Sequence, residues 1–202
     1  MNTNERKIVT ADPSAMGLFG LAMVTFVASS AKLGWTSGVS FIIPWAIFLG
    51  AFAQLFACLS DAKKNNVFGA TAFGGYALFW FGVGTSWMIQ LGVFGEAMAQ
   101  NADPKQLGFA FLGYFIFSVY MTIGSLETNK VLMIIFGLID VLLLGLALST
   151  IWHVEWAHTM AAWSELAIAI VSFYGSAANV LNATFGRTFL PLGKPLGIFK
   201  KH

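Results

Sequence analysis

The chain has 202 residues, of which 57% are apolar and only 10% charged, against about 25% charged in an ordinary globular protein, and this excludes a water-soluble monomer. About 20 apolar residues are needed per membrane-crossing helix, so six crossings use about 120 residues and leave room only for short connections. Eleven Lys and Arg against nine Asp and Glu give a net charge of +2, far from the basic face of a nucleic-acid binder, and the single cysteine, Cys58, excludes a disulfide framework or a thiolate metal cage.

Apolar runs bounded by charged or turn residues predict spans at 16–31, 39–59, 68–93, 107–123, 131–151 and 157–181. Lipid leaves a backbone to satisfy its own hydrogen bonds, and uninterrupted apolar runs lack the alternation of a transmembrane strand. The fold class expected is an all-α integral membrane protein: a six-helix transmembrane domain at 16–182, with short segments at 1–15 and 183–202. Nine of the eleven Lys and Arg, namely Arg6, Lys7, Lys63, Lys64, Lys130, Arg187, Lys194, Lys200 and Lys201, fall on one side, and Lys32 and Lys105 on the other. This bias predicts a multi-pass membrane protein with both termini in the cytoplasm; the membrane expected is the plasma (inner) membrane. Trp35, Trp152 and Trp156, near span ends on the opposite side, suit the membrane interface. Reading the first span as a cleaved signal peptide, with Ser29-Ser30-Ala31 as the site, would leave five spans and spoil the match between parity and charge, so the span is expected to be retained.

Glycines inside the spans predict close helix packing, with Gly50, Ala53 and Ala57 forming a small-residue seam. Among polar residues at membrane depth, Asp140 lies near the centre of its span, where an ionised carboxylate costs about 2.5 to 3.5 kcal/mol, so it is expected to face the bundle interior. It is either a proton-relay or pore-lining acid, or a residue that makes an interhelical hydrogen bond or an oligomer contact. Glu165, nearer the start of its span, is expected at an exposed lip or in a transport role. His153 and His158 are spaced five apart, which is not the helical zinc spacing, so no metal site is expected. Neither a phosphate-cradling loop nor a serine elbow occurs, and no catalytic residue, enzyme activity or cofactor is expected.

At the N-terminus, ADPSAMGL resembles the NPAPLGL signature of the acetate uptake transporter family, which includes bacterial succinate-acetate permeases. GAFAQLFA from Gly50, KKNNVFGATAF with Tyr76, and LNATFGRTFLPLG from Leu181 follow in family order. Asp12 stands where the signature has Asn, Ser14 where it has Ala, and Ala15 where it has a second Pro. The resemblance implies a six-helix bundle around a pore in each protomer, a homohexamer, and a hydrophobic constriction of three residues. By local motif alignment these fall on Leu21, aliphatic where the family is aromatic, on Tyr76, and on Ile139.

The function expected is passage of acetate and related short carboxylates, succinate among them, either with a proton or by channel-like flow. Gln54, Thr71 and Asn179 are candidate hydrogen-bond donors to the carboxylate, Leu21 and Ile139 are expected to tune passage, and Tyr76 to add a hydroxyl at the narrowest point. Asp140 is the candidate proton site. A channel for a small neutral solute such as urea or ammonia is the alternative, and a non-transporting membrane sensor the third reading.

Overall fold

The computed structural model describes residues 11–199, and every regular element among them is helical. Arg6, Lys7, Lys200 and Lys201, used in the charge count, lie outside the described residues. The elements are α1 (Ser14–Lys32), α2 (Ile42–Trp45), a π-helical stretch (Ala46–Ala53) running on into α3 (Gln54–Lys63), α4 (Val67–Gln90), a short α5 (Glu96–Gln100), α6 (Pro104–Ser125), α7 (Lys130–Trp152) and α8 (Glu155–Phe185). With Ile42–Lys63 taken as one crossing, six are long and apolar enough to span a membrane.

Most helices outrun the apolar windows because polar caps set their ends. Asn66 accepts from the Gly69 N–H, Asn129 from the Leu132 N–H, and Asp103 from the Lys105 N–H with Pro104 in the first turn. Each cap satisfies a donor that has no partner within its own helix. His153, at φ 58°, ends α7 in a left-handed conformation, and Gly186, at φ 62°, does the same for α8. The π stretch and α5 carry no hydrophobic signal distinct from their neighbours and were not expected from periodicity.

The crossings close a ring in the order α8, α1, second crossing, α4, α6, α7 and back to α8. Both ends of the described chain emerge at one end of this ring, called here the termini end. At that end Asn182 accepts from the Phe189 and Leu190 N–H groups and donates to the Leu190 carbonyl, while the Leu192 carbonyl accepts from Val131 and Leu196 donates to Leu126. The chain at 182–196 is thereby strapped across the ends of α6, α7 and α8.

Close approach depends on glycine at a few points. A side chain on Gly20 would meet the Leu49 carbonyl oxygen in the π stretch, one on Gly50 would lie 2.7 Å from the Trp80 ring, and one on Gly145 would lie 2.7 Å from the Ala157 carbonyl. Gly50, Ala53 and Ala57 are all buried, as a packing seam requires. Gly82 faces open space. Gly20→Val should therefore lower the melting temperature of the detergent-purified protein by several degrees, since overpacking costs about 1–3 kcal/mol. Gly82→Ala, measured alongside, should leave it unchanged or raise it by up to about 4 °C, as expected for about 1 kcal/mol or less in favour of alanine.

Candidate functional site

Three voids follow one another through the ring. The first, about 220 Å³, opens at the termini end and is lined by Gln54, Asp61, Asn66 and Phe136 among others. The third, about 230 Å³, lies toward the far end and is lined by Lys32, Trp87, Gln90, His158 and Glu165 among others. Between them sits a void of about 20 Å³. It shares Leu21, Tyr76 and Ile139 with the first cavity, and Phe79, Trp80 and Leu142 with the third. Two chambers are thus separated by two layers of apolar and aromatic side chains.

Leu21, Tyr76 and Ile139 come together from α1, α4 and α7 and are 6%, 5% and 4% exposed. The Tyr76 ring is held edge-on to Phe117 at a centroid distance of 5.4 Å and tilted against Phe136 at 6.0 Å. Its hydroxyl donates to Ser118 Oγ at 3.1 Å, so the hydroxyl joins α4 to α6 and the ring forms the wall. Tyr114 on α6 returns the link, donating to the Gly75 carbonyl at 3.0 Å. Phe79 packs edge-on against both Trp80 and Tyr114, at 5.3 and 4.9 Å, which fixes the second layer.

Of the three expected donors, Gln54 alone lines the first cavity, and its Nε2 donates to the Gly50 carbonyl at 2.7 Å where the π stretch hands over to α3. Thr71 is exposed on the outside of α4 and lines none of these voids. The spacing placed it on a span, but α4 turns that face away. Asn179 borders a separate side pocket of about 180 Å³ with Asp12 and Ser14, and its Nδ2 is engaged by the Gly175 carbonyl. Asp12, the departure in the N-terminal signature, accepts from the Ser14 N–H at 2.9 Å, a role an Asn side-chain oxygen fills equally well.

Asp140 sits in the seam between α6 and α7. Its Oδ2 accepts from the Thr122 hydroxyl at 2.7 Å, its Oδ1 is buried without a partner, and it lines none of the three voids. The interhelical hydrogen bond is the arrangement present. Glu165 is not at an exposed lip: it is 1% exposed and accepts from Lys32 Nζ at 2.9 Å. Sequence reasoning counted Lys32 only toward charge bias and did not pair it with Glu165, because 133 residues separate them. The signal available was that Glu165 is an ionisable residue in a membrane span, and such a group requires a partner.

The GPR1/FUN34/yaaH family model matches residues 2–192. The succinate-acetate/proton symporter SatP of Escherichia coli (strain K12) is 33% identical over 186 residues, covering 91% of this chain and 96% of that protein. A solved structure of the bacterial acetate channel SatP superposes with a TM-score of 0.85 at 31% identity, covering 92% of this chain and all of that one. The ammonia transport outward protein 2 of Saccharomyces cerevisiae is more distant, 24% identical over 173 residues, covering 84% of this chain and 61% of that protein. Motif order, ring topology and near-complete coverage agree, and the chain belongs to the GPR1/FUN34/yaaH family.

Proposed function

We propose that this protein carries acetate and related short carboxylates across the plasma (inner) membrane, between the two cavities and past the Leu21, Tyr76 and Ile139 layer. The observation that carries the reading is that layer itself, an apolar barrier between two chambers whose largely apolar walls each carry a few polar or charged side chains. Its relatives' names as acetate channel and succinate-acetate symporter support it. A well-hydrated ion must shed water to pass such a barrier and recovers nothing from the walls, whereas the methyl group of acetate gains apolar contact. Acetate resembles a Glu side chain and is almost wholly ionised at pH 7, and moving it inward against a negative interior costs about 2.3 kcal/mol per 100 mV. Net uptake therefore draws on a co-transported proton or on consumption inside the cell.

The same proposal places both termini in the cytoplasm, by the charge bias, and six copies in the assembly, by the resemblance. A continuous exposed stripe of Trp45, Phe48, Phe52 and Phe56 along the second crossing offers lipid or a neighbouring copy an apolar face. Native mass in mild detergent should correspond to six chains.

The neutral-solute reading draws on the ammonia-exporting relative and on a barrier without a charged side chain. Radiolabelled acetate uptake into proteoliposomes at clamped voltage and pH separates the two. Saturable uptake that responds to voltage and is competed by succinate is expected. Voltage-independent flux of urea or ammonia, with acetate excluded, would replace the proposal.

Leu21→Ala and Ile139→Ala thin the barrier and should raise succinate flux several-fold relative to acetate in the same assay. Tyr76→Phe removes only the hydroxyl bonded to Ser118. Acetate flux should stay within about twofold of the parent, while the melting temperature falls, since a buried Ser118 left without its partner costs about 1–3 kcal/mol. We assign Asp140 to holding α6 against α7, outside the passage. Asp140→Asn keeps an acceptor for Thr122, so the pH response of acetate uptake should persist, and its loss would move a proton path into that seam.

A further inference from the structure

We propose that Lys32 and Glu165 form a carboxylate-exchange site in the far cavity: Lys32 anchors the carboxylate of the transported acid, and Glu165 is a built-in anion that competes for it. The inference rests on the transport reading above and goes beyond it by naming where the anion is held and what sets its affinity. Both side chains line the 230 Å³ cavity, which has room for a two-carbon acid. The Glu165 carboxylate is chemically the same group as the substrate's, and its 2.9 Å contact with Lys32 Nζ displays the geometry a bound carboxylate would take.

The two partners are unequal in reach. Glu165 is 1% exposed and fixed in the wall of α8, whereas the Lys32 side chain is 18% exposed and opens onto the cavity. An ammonium has three donors, and Glu165 receives one, so a second carboxylate has donors to meet before the first has left. Lys32 also ends α1, where the helix carbonyls favour a cation, and it therefore stays in place when its partner is shared. Phe111 and Leu146 offer apolar surface for a methyl group, and His158 is the other titratable side chain facing this space.

The competition has a physical purpose. A bare lysine in a water-poor chamber would hold an anion too long, and conduction needs binding firm enough to enter and weak enough to leave. An internal carboxylate a hydrogen bond away lowers net affinity while preserving the attraction that draws the anion in.

The test is the acetate concentration giving half-maximal uptake in proteoliposomes at fixed pH and voltage. Three proteins are compared: wild type, Glu165→Gln, and the doubly neutral Lys32→Gln with Glu165→Gln. Freeing Lys32 in Glu165→Gln should lower the half-saturating concentration about tenfold, the scale of one charge-assisted hydrogen bond no longer contested, and reduce maximal flux through slow release. The double variant loses the anchor and should require several-fold more acetate than wild type. If Glu165→Gln fails to fold, the double variant, which replaces the ion pair by two amides able to hydrogen-bond, decides the matter alone. Half-saturation unchanged or raised in Glu165→Gln, or equal to wild type in the double variant, overturns the inference. Absence of saturable acetate uptake in wild type would instead overturn the transport reading.

Discussion

The passage depends on how closely three helices approach at the π-helical stretch. On one side of that stretch Gly20 of α1 lies against the Leu49 carbonyl, and on the other Gly50 lies beneath the Trp80 ring of α4. Leu21 follows Gly20 directly, and Trp80 lines the central void, so both barrier layers take their position from glycine contacts. In lipid no hydrophobic effect draws helices together, and small residues supply the van der Waals contact that does. The wider winding at Ala46–Ala53 also shifts the residues after it, and Gln54, the first residue of regular helix, faces the termini-end cavity. Such π segments recur at functional sites.

Polar groups near the barrier are spent on joining helices. Tyr76 bonds Ser118, Tyr114 bonds the Gly75 carbonyl, Thr122 bonds Asp140, and Ser164 bonds the Leu138 carbonyl. Away from water each of these groups costs free energy unless paired, and the nearest partner is a neighbouring helix. Tying these hydroxyls into the seams leaves the layer between the two cavities walled mainly by aliphatic and aromatic side chains. A hydroxyl exposed there would offer a hydrated ion a foothold and weaken the discrimination that dehydration provides.

Much of this was legible in the sequence because lipid imposes one-dimensional rules. Span number, the parity of the termini, the glycine seam and the meeting of Leu21, Tyr76 and Ile139 follow from apolar runs and from motifs matched to the family. What escaped is what depends on rotation about a helix axis or on contacts between distant segments. Thr71 and Gln54 are equally polar residues in apolar spans, and only the turn of each helix puts Gln54 on a cavity and Thr71 outside. Asp140 lies midway along α7 against Thr122 of α6, and position along a span does not distinguish a seam from a passage. The Lys32–Glu165 pair joins α1 to α8, the first and last crossings of the ring, and no local pattern could link them.

The two chambers differ in charge, and this bears on how an anion moves. The far cavity holds a lysine whose charge is balanced by a glutamate, the arrangement on which the proposed exchange site rests. The termini-end cavity includes Asp61, 3% exposed, with Asn66 and Gln54 nearby and no lysine in its lining. On the proposed route a carboxylate in that cavity meets side-chain amides and an acid that repels it when ionised. Like charges within a few ångströms repel more strongly in a low-dielectric chamber than in water. On the proposed route, attraction at the far chamber and dehydration at the apolar layer act in sequence on the same ion, while the termini-end chamber presents an acid in place of a lysine.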